Sequence, residues 1–263
     1  MKRLLIFFLL LVYICCAAQP GPASTILPPA MQAKLSPSLA TTLASLLRHP
    51  TAPHLFLIQS TRSGALADSL QASPATAMLR RVTADFILVK TNYDVVQAKI
   101  LSDTSVHFVD IIDREVHEEQ SIAGFDNTLN TINSLQALYP SFTANGLSVS
   151  VKENRPDTAD IDFSHRLQLT EAASATLSTH ATIMATIIAG AGNSFYNGRG
   201  VATGANITSS SIDVLLPDND DYYAAHQISV QNHSYGTALE NYYGADAAAY
   251  DASVLHRPSL LHV

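Results

Sequence analysis

Residues with acid–base chemistry stand at the borders of two apolar stretches: His180 at the start of one, and Lys152-Glu153-Asn154 at the end of the other. His180 lies in Ser-Thr-His-Ala-Thr-Ile-Met-Ala-Thr-Ile-Ile-Ala-Gly, residues 178–190. Ser178 or Thr179 can cap a helix there, which puts His180 in the first turn, where free N–H groups and the helix dipole disfavour added positive charge. A neutral imidazole is what a general base requires. The competing reading is a histidine that only satisfies its local structure. Glu153 follows Leu147-Ser148-Val149-Ser150-Val151, whose alternation after Gly146 reads as a strand delivering Lys152, Glu153 and Asn154 at its carboxyl end. In open α/β sheets ligand chemistry gathers at such ends. Asp157, Asp160 and Asp162 follow closely, as competing acids or as a solvated acidic loop.

The elements that must position these groups are legible around them. Small and apolar residues occupy every side of the 178–190 segment (Ala181, Ile183, Met184, Ala185, Ile187, Ile188, Ala189), so the helix is predicted to be central and covered. Asn206–Ile212 and Ile228–His233 read as strands, Ala245–Leu255 as an Ala-rich helix, and Leu260–Val263 as the start of another strand. Gly190, Gly192, Gly198 and Gly200 follow a helix, the reverse of the strand-to-helix order that a phosphate-cradling loop needs. Asp218-Asn219-Asp220-Asp221 reads as a solvated turn, with calcium ligation as the alternative.

Residues 178–190, followed by Gly-Arg-Gly-Val-Ala-Thr-Gly-Ala-Asn-Ile at 198–207, resemble the histidine segment of the subtilisin-like serine proteases, or subtilases: His-Gly-Thr-His-Val-Ala-Gly-Ile-Ile-Ala-Gly and then Gly-Val-Ala-Pro-Gly-Ala. The departures are Ala181, Ile183, Thr186 and Thr203. The resemblance implies that His180 is the catalytic base, and it puts Glu153 at the position of the acid that orients the histidine. A glutamate is one methylene longer than the family's aspartate and must sit slightly farther back. Asp162-Phe163 resembles the Asp-Leu that trails the aspartate motif, so the three aspartates are expected in a loop. Ser234-Tyr235-Gly236 resembles the Ser-X-Gly segment that offers its backbone to extended substrates, and Gly236 supplies the small residue such an approach needs. A plain strand exit is the alternative there, and His233 is expected to orient locally. The family's oxyanion asparagine and its Gly-Thr-Ser nucleophile segment have no match in residues 1–263, so the expectation is a chain truncated within the catalytic domain.

Met1–Ala18 carries Lys2 and Arg3, an apolar run from Leu4 to Ile14, and a small-residue exit, the pattern of a secretory signal peptide cleaved after Ala18. A lipid anchor on Cys15 or Cys16 is the rival, disfavoured by bulky Tyr13 and Ile14. Both cysteines fall in this segment, which excludes disulfides, cysteine metal sites and a cysteine nucleophile from the mature chain. Residues 19–53 read as a Pro/Ser/Ala/Thr-rich leader with a short helix opening at Ser36-Pro37. Residues 54–125 read as a small α+β unit with strands at Leu55–Ile58, Leu79–Val82, Phe86–Val89 and Val106–Ile112 and a helix at Tyr93–Leu101. Its position implies a subtilase propeptide that inhibits its own protease; an unrelated accessory domain is the alternative. Glu115–Ser121 reads as an exposed connection, 126–145 as a connecting segment with a helix from Asp126 to Leu138, and 146–263 as the first part of the catalytic domain.

A net charge of −7 with 15 scattered basic residues argues against nucleic acid as a partner. The expected fold is α/β and subtilisin-like, a mainly parallel sheet with helices on both faces, preceded by the α+β unit. The expected function is a secreted or cell-envelope serine endopeptidase acting on peptides or proteins, without a stable membrane span and without a cofactor beyond structural calcium. The alternative is a secreted module that keeps the peptide groove without the chemistry.

Overall fold

A computed structural model of the protein describes residues 27–112, 114–119, 127–128 and 130–263. The signal-peptide segment lies outside the described residues. Chain contacts divide the molecule into two units, residues 1–33 and 34–263. In the first, Pro29–Gln32 forms one helical turn, with Gln32 Nε2 donating to Leu27 O at 2.6 Å.

The second unit opens with the helix Pro37–Arg48. Ser36 Oγ caps it by accepting from Leu39 N at 2.9 Å, and the same hydroxyl donates to Asp110. The helix buries Leu39 and Leu46 and packs on the last strand of a four-stranded antiparallel sheet. That sheet contains β1 (Pro53–Ser60), β2 (Met78–Arg81), β3 (Phe86–Asn92) and β4 (Val106–Ile111), in the order β2-β3-β1-β4. Phe56, Leu57 and Ile58 of the inner strand β1 are fully buried, because the sheet is covered on both faces. One face carries Leu57, Phe86 and Leu88 onto Ala245, Ala249 and Leu216 of the larger layer. Helix Ser63–Gln71 adds Leu66, Ala67 and Leu70 to the core of this unit. The expected helix at Tyr93–Leu101 is present, winding to π geometry from Val96.

The larger layer is a five-stranded, all-parallel sheet. It contains β6 (Ser148–Lys152), β7 (Leu167–Leu169), β8 (Asn206–Ser210), β9 (Ile228–Asn232) and β11 (Leu261–His262), in the order β11-β9-β6-β8-β7. Central β6 aligns Val149 with Ile207 and Val230. Val149, Val151 and Ile207 pack against Ala185 and Ala189 of the helix Thr179–Ala189, whose alanines let helix and sheet approach closely. The opposite face is polar and equally dry. Ser150, Lys152, Ser210 and Gln231 are fully buried there around Asp218. Parallel sheets are covered on both faces, so polar groups on them must pair with one another. Lys152 Nζ lies 3.5 Å from Asp218 Oδ1, while Asp218 Oδ2 accepts from Ser210 Oγ at 2.5 Å and Gln231 Nε2 at 2.8 Å. The acidic run at 218–221 is therefore not a solvated turn: Asp218 is an internal counter-ion, and Asn219 caps the helix Asp220–Ala225.

Two further expectations change. A helix forms at Ile132–Leu138, shorter than Asp126–Leu138, and Asp126 lies outside the described residues. Glu115–Ser121 is not a free connection within its described part: Val116–Glu118 forms β5, paired antiparallel with β10 (Tyr235–Thr237).

Candidate active site

The glutamate and the histidine are brought together by the way their two elements are joined. Glu153 leaves the carboxyl end of β6, and its N–H is held by Ser210 O at 2.9 Å. Two residues on, Arg155 N donates to Thr176 O at 2.8 Å and Ser178 N donates to Arg155 O at 2.9 Å, stitching the strand exit to the start of the histidine helix. Ser178 Oγ then caps that helix, accepting from Ala181 N at 3.3 Å. Asp157 N donates to Thr182 Oγ1 at 2.9 Å, one turn further along.

The result is a buried pair. His180 Nδ1 lies 3.3 Å from Glu153 Oε2, with the two side chains 5% and 0% exposed. Neither atom makes a hydrogen bond of good geometry, to each other or to another described residue, so the pair is a close approach of two buried polar groups. The other oxygen, Oε1, accepts from Ser234 N at 2.9 Å, so the carboxylate is pinned at one end and turned to the imidazole at the other. Burial pushes Glu153 up to about 8, opposed by the Ser234 N–H and reinforced by Glu118 and Glu119. The three aspartates have local duties instead. Asp157 and Asp160 accept from Ala159 N and Asp162 N, and Asp162 holds the backbone and hydroxyl of Ser194.

Ser234, Tyr235 and Gly236 lie beside this pair and are occupied. In the β5–β10 register, Glu118 is opposite Tyr235, His117 opposite Gly236 and Val116 opposite Thr237; Glu119 N also reaches Ser234 O at 3.4 Å. A side chain at 236 would intrude, since its Cβ would stand 3.3 Å from the His117 ring. The Tyr235 hydroxyl points into the protein, bonding His233 Nδ1 at 3.0 Å and Tyr250 at 3.1 Å. His233 also bonds His262, and burial brings its value down to about 3, so it is a neutral internal residue.

Glu118 carries the strand's side chain into the site. Its carboxylate accepts from Asn154 Nδ2 at 2.9 Å. One carboxylate oxygen each from Glu118 and Glu153 and a ring nitrogen of His180 all lie within 4.8 Å of one another, the one set among the described residues with the donors and spacing for a metal ion. Glu118 and Asn154 are absent from the sequence-based site. Nothing in the charged stretch at 115–119 marks it as a strand, although Asn154 could have been suspected from its place beside the acid.

The Subtilase family model matches residues 89–259, about two thirds of the chain, including Glu153, His180 and Ser234–Gly236. The chain belongs to the subtilase family. Among solved structures, this subtilase resembles the epidermin leader peptide processing serine protease EpiP from Staphylococcus aureus, with 10% identity and a TM-score of 0.52 over 81% of this chain and 60% of that one. It also resembles fervidolysin from Fervidobacterium pennivorans, a keratinolytic enzyme related to subtilisin, with 19% identity and a TM-score of 0.49 over 78% of this chain and 39% of that one. The subtilase thus spans less than two thirds of either relative. No curated protein sequence matches it. The fold is subtilisin-like, with the antiparallel sheet as a separate layer, and no described helix is long and apolar enough to cross a membrane.

Proposed function

We propose that the protein is a secreted serine endopeptidase that hydrolyses peptide bonds with an acid–histidine–serine triad. One observation carries this reading: the buried Glu153–His180 pair stands beside a peptide strand lying on Tyr235–Thr237. In the proposed mechanism the neutral imidazole takes the proton of a serine hydroxyl on one nitrogen while Nδ1–H donates to Glu153. The imidazolium so formed is stabilised by Glu153 in its ionised form, which prevails above about pH 8, and returns its proton to the leaving amine. Substrate joins β10 as an antiparallel strand, its backbone bonds giving affinity and its alternate side chains specificity. The serine and the oxyanion asparagine have no match in residues 1–263, and the proposal draws them from outside that stretch.

Val116–Glu118 in the groove supports a further part of the reading. The α+β unit acts as a propeptide, its sheet resting on the Ala245–His256 helix and its tail closing the cleft. Export rests on the Met1–Ala18 pattern, the triad needs no cofactor, and peptide or protein chains are the partners. The test uses the protein expressed from its full reading frame. A fluorophosphonate probe is expected to label one serine and casein to be cleaved, with both lost in His180→Ala, while residues 19–263 alone should not label. A folded full-length protein that neither labels nor cleaves would overturn the endopeptidase and leave a peptide-binding module.

A further inference from the structure

We infer that Asn154 is a specificity-determining residue, and that the cleft selects peptides with an acidic side chain at the position opposite Tyr235, Glu118 being the internal example. This rests on the groove being a peptide site. The orientation of the Asn154 amide decides what the groove offers a peptide. Ser174 Oγ donates to Asn154 Oδ1 at 3.1 Å, and that Oγ in turn accepts from Thr176 N at 3.2 Å. Ser174 is 5% exposed, so water does not compete freely for it. Flipping the amide would set two donors against Oγ and strand the serine proton without an acceptor. Nδ2 is therefore the atom presented to the groove, and its bond to Glu118 Oε1 at 2.9 Å is what a donor-only surface asks of a peptide. A carboxylate answers it best, since charged acceptors bind donors more strongly than neutral ones.

A cation at this position has a rival attraction to consider, the carboxylate of Glu153. Oε1 of that group accepts from Ser234 N, and Oε2 is buried 3.3 Å from His180 Nδ1. A lysine there would face Nδ2 donor to donor. The groove therefore discriminates by the donor that it offers.

The experiment measures hydrogen exchange of the backbone amides of residues 114–119 in the full chain, with the amides of β6 and β8 as the control for an intact fold. Glu118→Gln keeps an acceptor and is expected to exchange within about three-fold of wild type. Glu118→Lys should exchange at least ten-fold faster, and Asn154→Asp added to Glu118→Lys should recover most of that loss, because the new carboxylate takes the lysine. Ser174→Ala, which frees the amide to turn, should narrow the gap between Glu118 and Glu118→Lys chains. Glu119→Pro removes the N–H that reaches Ser234 O and reports on strand docking itself. If Glu119→Pro undocks the strand while Glu118→Lys leaves exchange unchanged, or while Asn154→Asp fails to rescue it with β6 and β8 still protected, the groove stands and the role of Asn154 falls. If Glu119→Pro and Glu118→Lys both leave exchange unchanged, the groove reading and the inference fall together.

Discussion

At the scale of single residues, the site depends on a glutamate held in a place that resists its charge. Its folded value lies above the ordinary 4.5, so the stability it contributes is full below about pH 4.5 and drains away as pH rises through about 8. The denaturant midpoint of the wild type should therefore fall more between pH 5 and pH 9 than that of Glu153→Gln, and equal falls would contradict this. Glu118 adds to the rise, so Glu118→Gln should lower the Glu153 titration midpoint in carboxyl NMR. An unchanged or higher midpoint would show that the docked strand does not face the pair. One residue back, burial pushes Lys152 below its usual value and Asp218 opposes it. Asp218→Ala strands that ammonium and should cost about 3–5 kcal/mol in chemical unfolding, whereas Lys152→Met with Asp218→Leu should cost much less.

At the scale of elements, strand exit and helix start are stitched through Arg155, Thr176 and Ser178, and the loop after the helix is folded tightly back on it. A Cβ at Gly190 would lie 2.1 Å from Gly198 O, and one at Gly200 would lie 2.5 Å from Thr186 O. Gly190→Ala should therefore destabilise the protein by about 1–3 kcal/mol, measured by urea unfolding; a neutral result would mean the glycine loop is looser than drawn. These glycines serve close packing, which their order after a helix did not reveal. Apolar runs marked β1, β3 and the histidine helix, and apolar–polar alternation marked β6. What escaped had weak or misleading local signals. Leu66, Ala67 and Leu70 mark the Ser63–Gln71 helix by only three positions, and Leu167–Leu169 is too short for alternation to register. Ser150 and Lys152 alternate with valines as if facing solvent, yet both are buried, because their partners Asp218 and Gln231 come from distant loops and strands. Glu153 and His180 were legible through family resemblance, whereas β5 was not, since its partner lies more than a hundred residues away and its own residues are charged.

At the scale of the molecule, contacts that join the antiparallel layer to the larger one include Leu57, Phe86 and Leu88 against Ala245 and Ala249, Ser38 with Tyr242, and β5 against β10. In the proposed reading they make the antiparallel layer a propeptide whose tail lies on Tyr235–Thr237. Residues 34–119 supplied in trans should inhibit the active full-length enzyme at micromolar concentration, and no inhibition would favour an accessory role for the layer. The central claim is that Glu153, and none of the nearby aspartates, orients His180. It is tested most directly by kcat/KM on a peptide substrate for Glu153→Gln, Asp157→Asn and Asp160→Asn in the full-length enzyme. The account predicts a loss on the order of 10³- to 10⁴-fold for Glu153→Gln, as for the acid of other such triads, with the aspartate variants within a few-fold of wild type. A nearly wild-type Glu153→Gln beside an inactive Asp157→Asn or Asp160→Asn would contradict it.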